Sequence, residues 1–137
     1  LLYREDECEL LPYCKDANIQ LTPYSPLAAG RLTRDWQGAT IRFKTDKESV
    51  VKYDGNEQVD HLIVDCVAAL AKEKNVTRTQ IALAWPLHQP QVAAPIIGAT
   101  KITHLEEAIQ AFDVELTKED LKFLEEEYTP HKVVGAL

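Results

Sequence analysis

The fold class of this chain is indicated by the stretch Val92-Ala93-Ala94-Pro95-Ile96-Ile97-Gly98-Ala99-Thr100-Lys101. Residues 92–97 form a short apolar run that ends at a glycine, which is typical of a buried parallel strand leaving for a loop. A helix is expected next, because Thr103-His104-Leu105-Glu106 has the pattern of a capping box. A buried strand followed by a helix predicts a parallel α/β arrangement.

The rest of the chain repeats this alternation. Residues 19–24 have apolar side chains at every second position, which predicts a second short strand. A helix is expected over residues 5–16, and Thr77 or Thr79 and then Thr117 can begin two more, the first ended or kinked by Pro86. The clearest amphipathic helix is predicted from apolar residues at helical spacing, namely Val59, Leu62, Ile63, Cys66, Val67 and Leu70.

Two strands do not make an independent sheet, so further strands are expected from elsewhere. A complete (β/α)8 barrel needs about 250 residues, whereas this chain has 137 and contains no methionine. We therefore expect a piece of a longer protein, incomplete as an isolated chain, whose apolar surface a missing half or self-association would cover. A small protein processed at its start is the alternative.

Composition excludes several classes of function. The net charge is −7, which argues against a nucleic-acid or anionic-membrane surface. No apolar run approaches the roughly 18 residues that a membrane span needs. The spacing of Cys8, Cys14 and Cys66 fits neither a disulfide framework nor a zinc site. We expect reduced thiols in a cytoplasmic protein and no metal.

A long segment, residues 31–57, lacks periodicity and is locally basic within an acidic chain. Its cations include Arg31, Arg34, Arg42 and Lys44. Long aperiodic loops are uncommon and often functional. The segment is either an ordinary solvated loop or a flap over an anionic ligand, and the composition alone does not separate the two.

Two further segments leave the predicted strand ends, where ligands bind in parallel α/β folds. After the second strand, Gly98 permits close backbone approach, while Thr100, Lys101 and His104 offer a hydroxyl, a cation and a titratable ring near a helix N-terminus. This is either a phosphate site or an ordinary turn. After the first strand, Tyr24 can stack on a heterocycle or pack on the rim, and Ser25 can donate a hydrogen bond or form a turn.

These motifs together resemble the aldo-keto reductase family. The resemblance lies in Tyr24-Ser25-Pro26-Leu27 with Gly30-Arg31-Leu32-Thr33, in Ala84-Trp85, and in residues 94–101 with His104-Leu105-Glu106. The closing Tyr128-Thr129-Pro130-His131-Lys132-Val133-Val134-Gly135 is similar to the branch of YajO-like and aryl-alcohol-dehydrogenase-like reductases. The match covers essentially the whole chain in order.

The resemblance implies that residues 1–137 are the C-terminal, NADP(H)-binding portion of a (β/α)8 TIM barrel, with strands seven and eight and their helices. It implies that Tyr24 stacks on the nicotinamide and that Ser25, Leu27 and Gly30 lie along the pyrophosphate, under the basic loop. It implies that Gly98, Thr100 and Lys101 surround the adenosine 2′-phosphate, that His104 lies beside them, and that Glu107 contacts the adenine. The family often has Arg or Gln at His104, Asn at Ala108 and Leu at Pro86.

The implied reaction is reduction of aldehydes or ketones to alcohols. In this family a Tyr, a Lys, an Asp and a His perform the chemistry, and no tyrosine of this chain lies in the matching context. We therefore assign no catalytic residue and expect the isolated chain to be inactive. A non-catalytic nucleotide-binding or interaction protein of the same fold is the alternative, and a partly ordered proteolytic fragment is another.

Overall fold

Helices dominate the part of the chain that the computed structural model describes, which is residues 1–36, 52, 53 and 55–134. The α-helices within these residues are α1 (Leu10–Asp16), α2 (Glu57–Glu73), α3 (Arg78–Leu87), α4 (Ile102–Ile109) and α5 (Lys118–Glu125). Three 3₁₀ segments accompany them at Glu5–Glu7, Ala28–Thr33 and Gln110–Asp113. Arg42, Lys44 and Gly135, named in the sequence analysis, lie outside the described residues.

The two predicted strands pair in parallel, but only through isolated bridges. Leu21 pairs with Val92 and Tyr24 pairs with Ile96, both in parallel. The Ile96 N–H donates to the Pro23 carbonyl at 2.8 Å. The parallel direction is therefore confirmed, whereas no continuous strand forms among the described residues. The predicted burial of residues 92–97 is also wrong, because none of them is buried and Ile96 is 55% exposed.

The predicted amphipathic helix is confirmed as α2, although the set of residues that it buries differs from the predicted set. Ile63, Val67 and Leu70 are buried as predicted, but Leu62 is 46% exposed. Asp60 is 0% exposed and takes a place on the buried face. An apolar stripe wider than the contact it makes leaves its edge residues in solvent, so sequence periodicity located the helix better than its orientation.

Helix α3 lies at the centre of the described residues and is confirmed with its predicted cap. The Thr77 hydroxyl accepts from the Gln80 N–H at 3.2 Å, and the Gln80 side chain accepts from the Thr77 N–H at 2.7 Å. Residues 80–86 are all buried. Pro86 occupies the last turn and the helix ends at Leu87, which agrees with the predicted end or kink at this proline.

Of the other predicted helix starts, the one at Thr117 is confirmed and the other two are wrong. Thr117 caps α5 in a capping box with Asp120, as expected. The capping box at Thr103 is wrong, because α4 begins at Ile102 after an extended Lys101 and has no side-chain cap. The helix expected over residues 5–16 is split into the 3₁₀ turn Glu5–Glu7 and α1.

The main apolar core lies where α2, α3 and α5 meet. Fully or nearly fully buried side chains in it include Leu2, Leu32, Ile63, Ile81 and Leu124. Within residues 1–36, 52, 53 and 55–134, no helix combines the length and the apolar character that crossing a membrane requires. A search of the same residues for groups of three or more metal-ligating side chains found none.

Candidate functional site

The parallel pairing brings the two predicted ligand-binding segments to one edge. Because Tyr24 pairs with Ile96 in parallel, the chain leaves both residues in the same direction. The segments also share an apolar support, since Leu27 and Ile97 both pack against a cluster that contains Leu83. The loop after Tyr24 and the turn at Gly98 therefore begin side by side.

Tyr24 presents an open aromatic face next to a lysine. Its side chain is 68% exposed. The Lys52 ammonium donates to the Tyr24 hydroxyl at 3.2 Å and lies 4.9 Å from the centre of the Tyr24 ring. The same ammonium is 4.3 Å from the ring centre of Tyr3. A cation between two tyrosine rings gives this surface a positive charge beside aromatic faces.

A cavity of about 390 Å³ opens beside these residues. Its lining includes Tyr3, Tyr24, Ser25 and Lys52. Arg4 also lines it, and its guanidinium is held by two hydrogen bonds to Glu7, at 2.6 and 2.7 Å. The cavity therefore combines aromatic, hydroxyl and charged groups in a space large enough for a small organic ligand.

The loop after Tyr24 has an unusual backbone. Ser25, Ala28 and Ala29 adopt positive φ angles of 53°, 49° and 54°, a conformation that few non-glycine residues adopt. Gly30 follows at φ 87°, and the Thr33 hydroxyl donates to its carbonyl at 3.0 Å. Glycine suits this position because a side chain there would be strained. Such strain is found at ligand-binding loops more often than elsewhere.

The second predicted segment is open to solvent. Gly98, Thr100, Lys101 and His104 are all exposed and Glu107 is half-buried. A Cβ atom added at Gly98 would meet nothing within 4 Å. No side chain caps α4, so the first-turn amides other than that of His104, which donates to the Lys101 carbonyl at 3.1 Å, are available to an anion.

The structure separates these residues from the cavity. Tyr24 and Ser25 line it, whereas none of Gly98, Thr100 or Lys101 does, and the same holds for His104 and Glu107. The predicted site is thus an extended surface, with an aromatic end at Tyr24 and a cationic end at Lys101, joined by the bridge between Tyr24 and Ile96.

One cation of the basic segment, Arg31, is more deeply packed than either interpretation supposed. Arg31 is only 1% exposed. Its guanidinium carbon lies 4.8 Å from the ring centre of Tyr53, and its carbonyl accepts from the Trp36 indole N–H at 2.9 Å. Burial raises the pKa of Tyr53 to about 12. Arg31 therefore belongs to the core beneath the loop.

Sequence reasoning missed a buried pair of titratable residues, Asp60 and His131. The His131 Nε2 atom lies 2.8 Å from Asp60 Oδ1, and the two side chains are 4% and 0% exposed. Burial raises the pKa of Asp60, and the hydrogen bond with His131 opposes that rise. The available signal was helical spacing, because Asp60 stands three residues before the buried Ile63.

Lys52 was also missed. It lies in the segment recognised as basic, but nothing in the local sequence links it to Tyr24, which is 28 positions away. Only the folded chain brings them together.

Comparison with known proteins places these features in a family. The model of the aldo/keto reductase family matches residues 1–128. The chain belongs to the aldo/keto reductase family. The resemblance drawn from the motifs is therefore confirmed, and the loops after Tyr24 and Ile96 are features of an aldo/keto reductase chain.

Curated relatives and a solved structure agree with this assignment. A Schizosaccharomyces pombe protein provisionally named an aryl-alcohol dehydrogenase is 40% identical over 100% of this chain and 38% of its own length. The versiconal hemiacetal acetate reductase of Aspergillus parasiticus is 37% identical over 97% of this chain and 39% of its own. The chain thus spans about two fifths of the length of these relatives.

The structural comparison concerns the fold alone. The glycerol dehydrogenase of Gluconobacter oxydans superposes with a TM-score of 0.74 over 98% of this chain and 42% of that chain, at 22% identity. The described residues therefore have the fold of part of an aldo/keto reductase. This confirms the predicted fold family, while the strands themselves are reduced to bridges.

Proposed function

We propose that this chain is the cofactor-binding part of an NADP(H)-dependent oxidoreductase that reduces aldehydes or ketones to alcohols within a (β/α)8 barrel. The observation that supports this most is the parallel pairing of Tyr24 with Ile96, because it directs both predicted cofactor loops to one edge. Membership of the aldo/keto reductase family supports the reaction class. The free Cys8, Cys14 and Cys66 support a reducing, cytoplasmic location.

The residues present suit a dinucleotide in extended form. The exposed Tyr24 ring offers a stacking surface for nicotinamide, and Ser25, Leu27 and Gly30 follow it along a strained loop suited to pyrophosphate. At the other end, Lys101 stands before the uncapped α4, a combination that favours a phosphate. With Gly98 and Thr100 it would hold the 2′-phosphate, with His104 and Glu107 nearby.

The cofactor supplies the hydride, and the protein orients it and supplies a proton. We propose that this chain contributes orientation, through the Tyr24 stack and the Lys101 phosphate site, and that the proton donor lies outside it. The small-molecule carbonyl substrate would lie against the exposed nicotinamide face. The 137-residue chain alone should therefore bind cofactor without turnover, and robust NADPH-dependent carbonyl reduction by it would contradict this division of roles.

Fluorescence titration with NADPH and NADH tests the cofactor assignment. The two differ by the 2′-phosphate, and a charge-assisted hydrogen bond is worth about 1.5–3 kcal/mol. Because Lys101 is exposed, we expect solvent screening to reduce this to a preference for NADPH of about tenfold. Equal affinity for the two cofactors would contradict the phosphate site.

Lys101→Ala isolates the residue responsible. It should lower the affinity for NADPH to near that for NADH and leave the latter unchanged, because NADH has no phosphate for the lysine to bind. Lys118→Ala is the matched control, since Lys118 is another exposed lysine at the start of a helix. An equal loss in both variants would show a general effect of net charge.

A further inference from the structure

Lys52 lies next to the ring of Tyr24 on which nicotinamide is predicted to stack, and its backbone is contacted by His131. The His131 Nδ1 atom lies 3.3 Å from the Lys52 carbonyl, across 79 positions. A carbonyl oxygen only accepts, so Nδ1 has the proton and donates it. On its other side His131 is fixed by Asp60 at 2.8 Å. The backbone of Lys52 is thus tied to a buried pair.

The segment that contains His131 contacts the surroundings of Lys52 a second time. The Val134 N–H donates to the Tyr3 hydroxyl at 3.1 Å, and the Tyr3 ring meets His131 edge-on, with centres 6.0 Å apart. Tyr3 is one of the two rings that flank the Lys52 ammonium. Residues 131–134 therefore contact both the backbone of Lys52 and Tyr3, one of the two rings beside the Lys52 ammonium.

This arrangement matters because a lysine side chain is long and freely rotating. Fixing its backbone limits where the ammonium can reach, and the hydrogen bond to the Tyr24 hydroxyl at 3.2 Å fixes the other end. A ring stacked on Tyr24 would then lie close to a positive charge. Nicotinamide is neutral in NADPH and cationic in NADP⁺, so the charge distinguishes the two oxidation states.

We infer that His131 is a positioning residue: by holding the Lys52 backbone it places the ammonium against Tyr24, where it favours the reduced nicotinamide over the oxidised one. The inference rests on the proposed function, because it needs the nicotinamide to stack on Tyr24. It adds a determinant of the redox preference of the bound cofactor that lies outside the phosphate site.

The test is the ratio of the Kd for NADP⁺ to the Kd for NADPH, which a merely structural role would not move. Lys52→Gln should lower this ratio about tenfold, as expected for a partly screened charge at this range, and Lys52→Arg should restore most of it. His131→Gln should lower the ratio similarly. An unchanged ratio in Lys52→Gln would overturn the inference, and an effect of Lys52 alone would overturn the role of His131.

Two controls separate positioning from loss of stability. His88→Gln removes a histidine that bonds the Ala84 carbonyl and the Leu116 N–H but does not line the cavity, so its ratio should stay unchanged. Lys132→Gln removes an exposed charge near His131 and should also leave it unchanged. A fall in either control equal to that in His131→Gln would count against positioning.

A second variant is available if His131→Gln does not fold. Tyr3→Phe keeps the ring and removes only the hydroxyl that accepts from Val134, so it loosens the same segment at a lower cost. In Tyr3→Phe the ratio of the Kd for NADP⁺ to the Kd for NADPH should fall. A ratio equal to that of the unaltered chain would contradict the role of residues 131–134.

Adenosine 2′,5′-bisphosphate distinguishes the two proposals, because it has the 2′-phosphate without nicotinamide. Its binding should be unaffected by Lys52→Gln and His131→Gln. If the unaltered chain binds neither it nor NADPH, the proposed function fails and the inference fails with it. If both bind and the ratio is insensitive to Lys52, only the inference fails.

Discussion

Replacing one member of the Asp60–His131 pair by leucine should destabilise the chain far more than an average substitution does. Asp60 is 0% and His131 8% exposed, so each single replacement leaves the other partner buried without its hydrogen bond. Removing one partner of a buried pair costs about 3–5 kcal/mol. Since domains are stable by only about 5–15 kcal/mol, either variant should lose a large part of its stability.

The double variant Asp60→Leu/His131→Leu should cost less than the sum of the two single replacements. Removing both partners leaves neither member of the pair without its hydrogen bond, and an apolar pair of similar volume can be nearly neutral in a core. The Lys52 carbonyl would still lose its donor, which keeps a cost of roughly 1 kcal/mol. With single costs of about 3–5 kcal/mol each and a double cost of roughly 1 kcal/mol, the coupling energy between the two positions should be about 5–9 kcal/mol.

Urea denaturation followed by circular dichroism at 222 nm measures this coupling, because helices dominate the described residues. With an m-value of about 1–3 kcal/mol/M, each single cost of about 3–5 kcal/mol should lower the midpoint by roughly 1–5 M. An unchanged m-value shows that the folded and unfolded states remain comparable. Strictly additive costs would refute the reasoning, since they would mean that neither residue depends on the other.

Three further substitutions test the core, a cap and a buried phenol. Leu124→Ala should lower the free energy of unfolding by about 3 kcal/mol, because Leu124 is 1% exposed in the main core. Urea denaturation measures this loss. Phe123 is 37% exposed, and a larger loss in Phe123→Ala than in Leu124→Ala would contradict the prediction. Thr117→Ala should cost about 1 kcal/mol by the same measurement, through loss of the bond from Asp120 N, whereas Thr117→Ser should not. Burial raises the pKa of Tyr53 to about 12 from 10.0, so stability should fall by roughly 2–3 kcal/mol as pH rises through 10–12, and Tyr53→Phe should remove that part of the fall.

Local signals in the sequence were enough for most of the helices. Thr77 and Thr117 begin α3 and α5 as predicted, because a capping box involves residues only three positions apart. The box at Thr103 was wrong for a related reason. Lys101 has extended angles, φ −139° and ψ 151°, so the helix starts before Thr103, and no local pattern decides between two starts so close together.

The juxtaposition of the two candidate loops was predictable, because they follow the ends of segments expected to pair. Tyr24 and Gly98 could be related because parallel segments send both following loops the same way, and the pairing with Ile96 bears this out. Lys52 could not be related to Tyr24, nor His131 to Asp60, because those contacts span 28 and 71 positions. Helical spacing could identify Asp60 as buried, but its partner depended on where residues 128–134 return.

The common support of the two loops is a helix, since the strands are reduced to bridges. Leu83 of α3 lies in the cluster against which both Leu27 and Ile97 pack, and α3 also contacts α4. A helix with residues 80–86 all buried is held on every side, so it fixes the loops even where the sheet is thin. Two bridges alone would leave the segments free to twist. The distance between the aromatic and cationic ends of the site is therefore set by packing on α3.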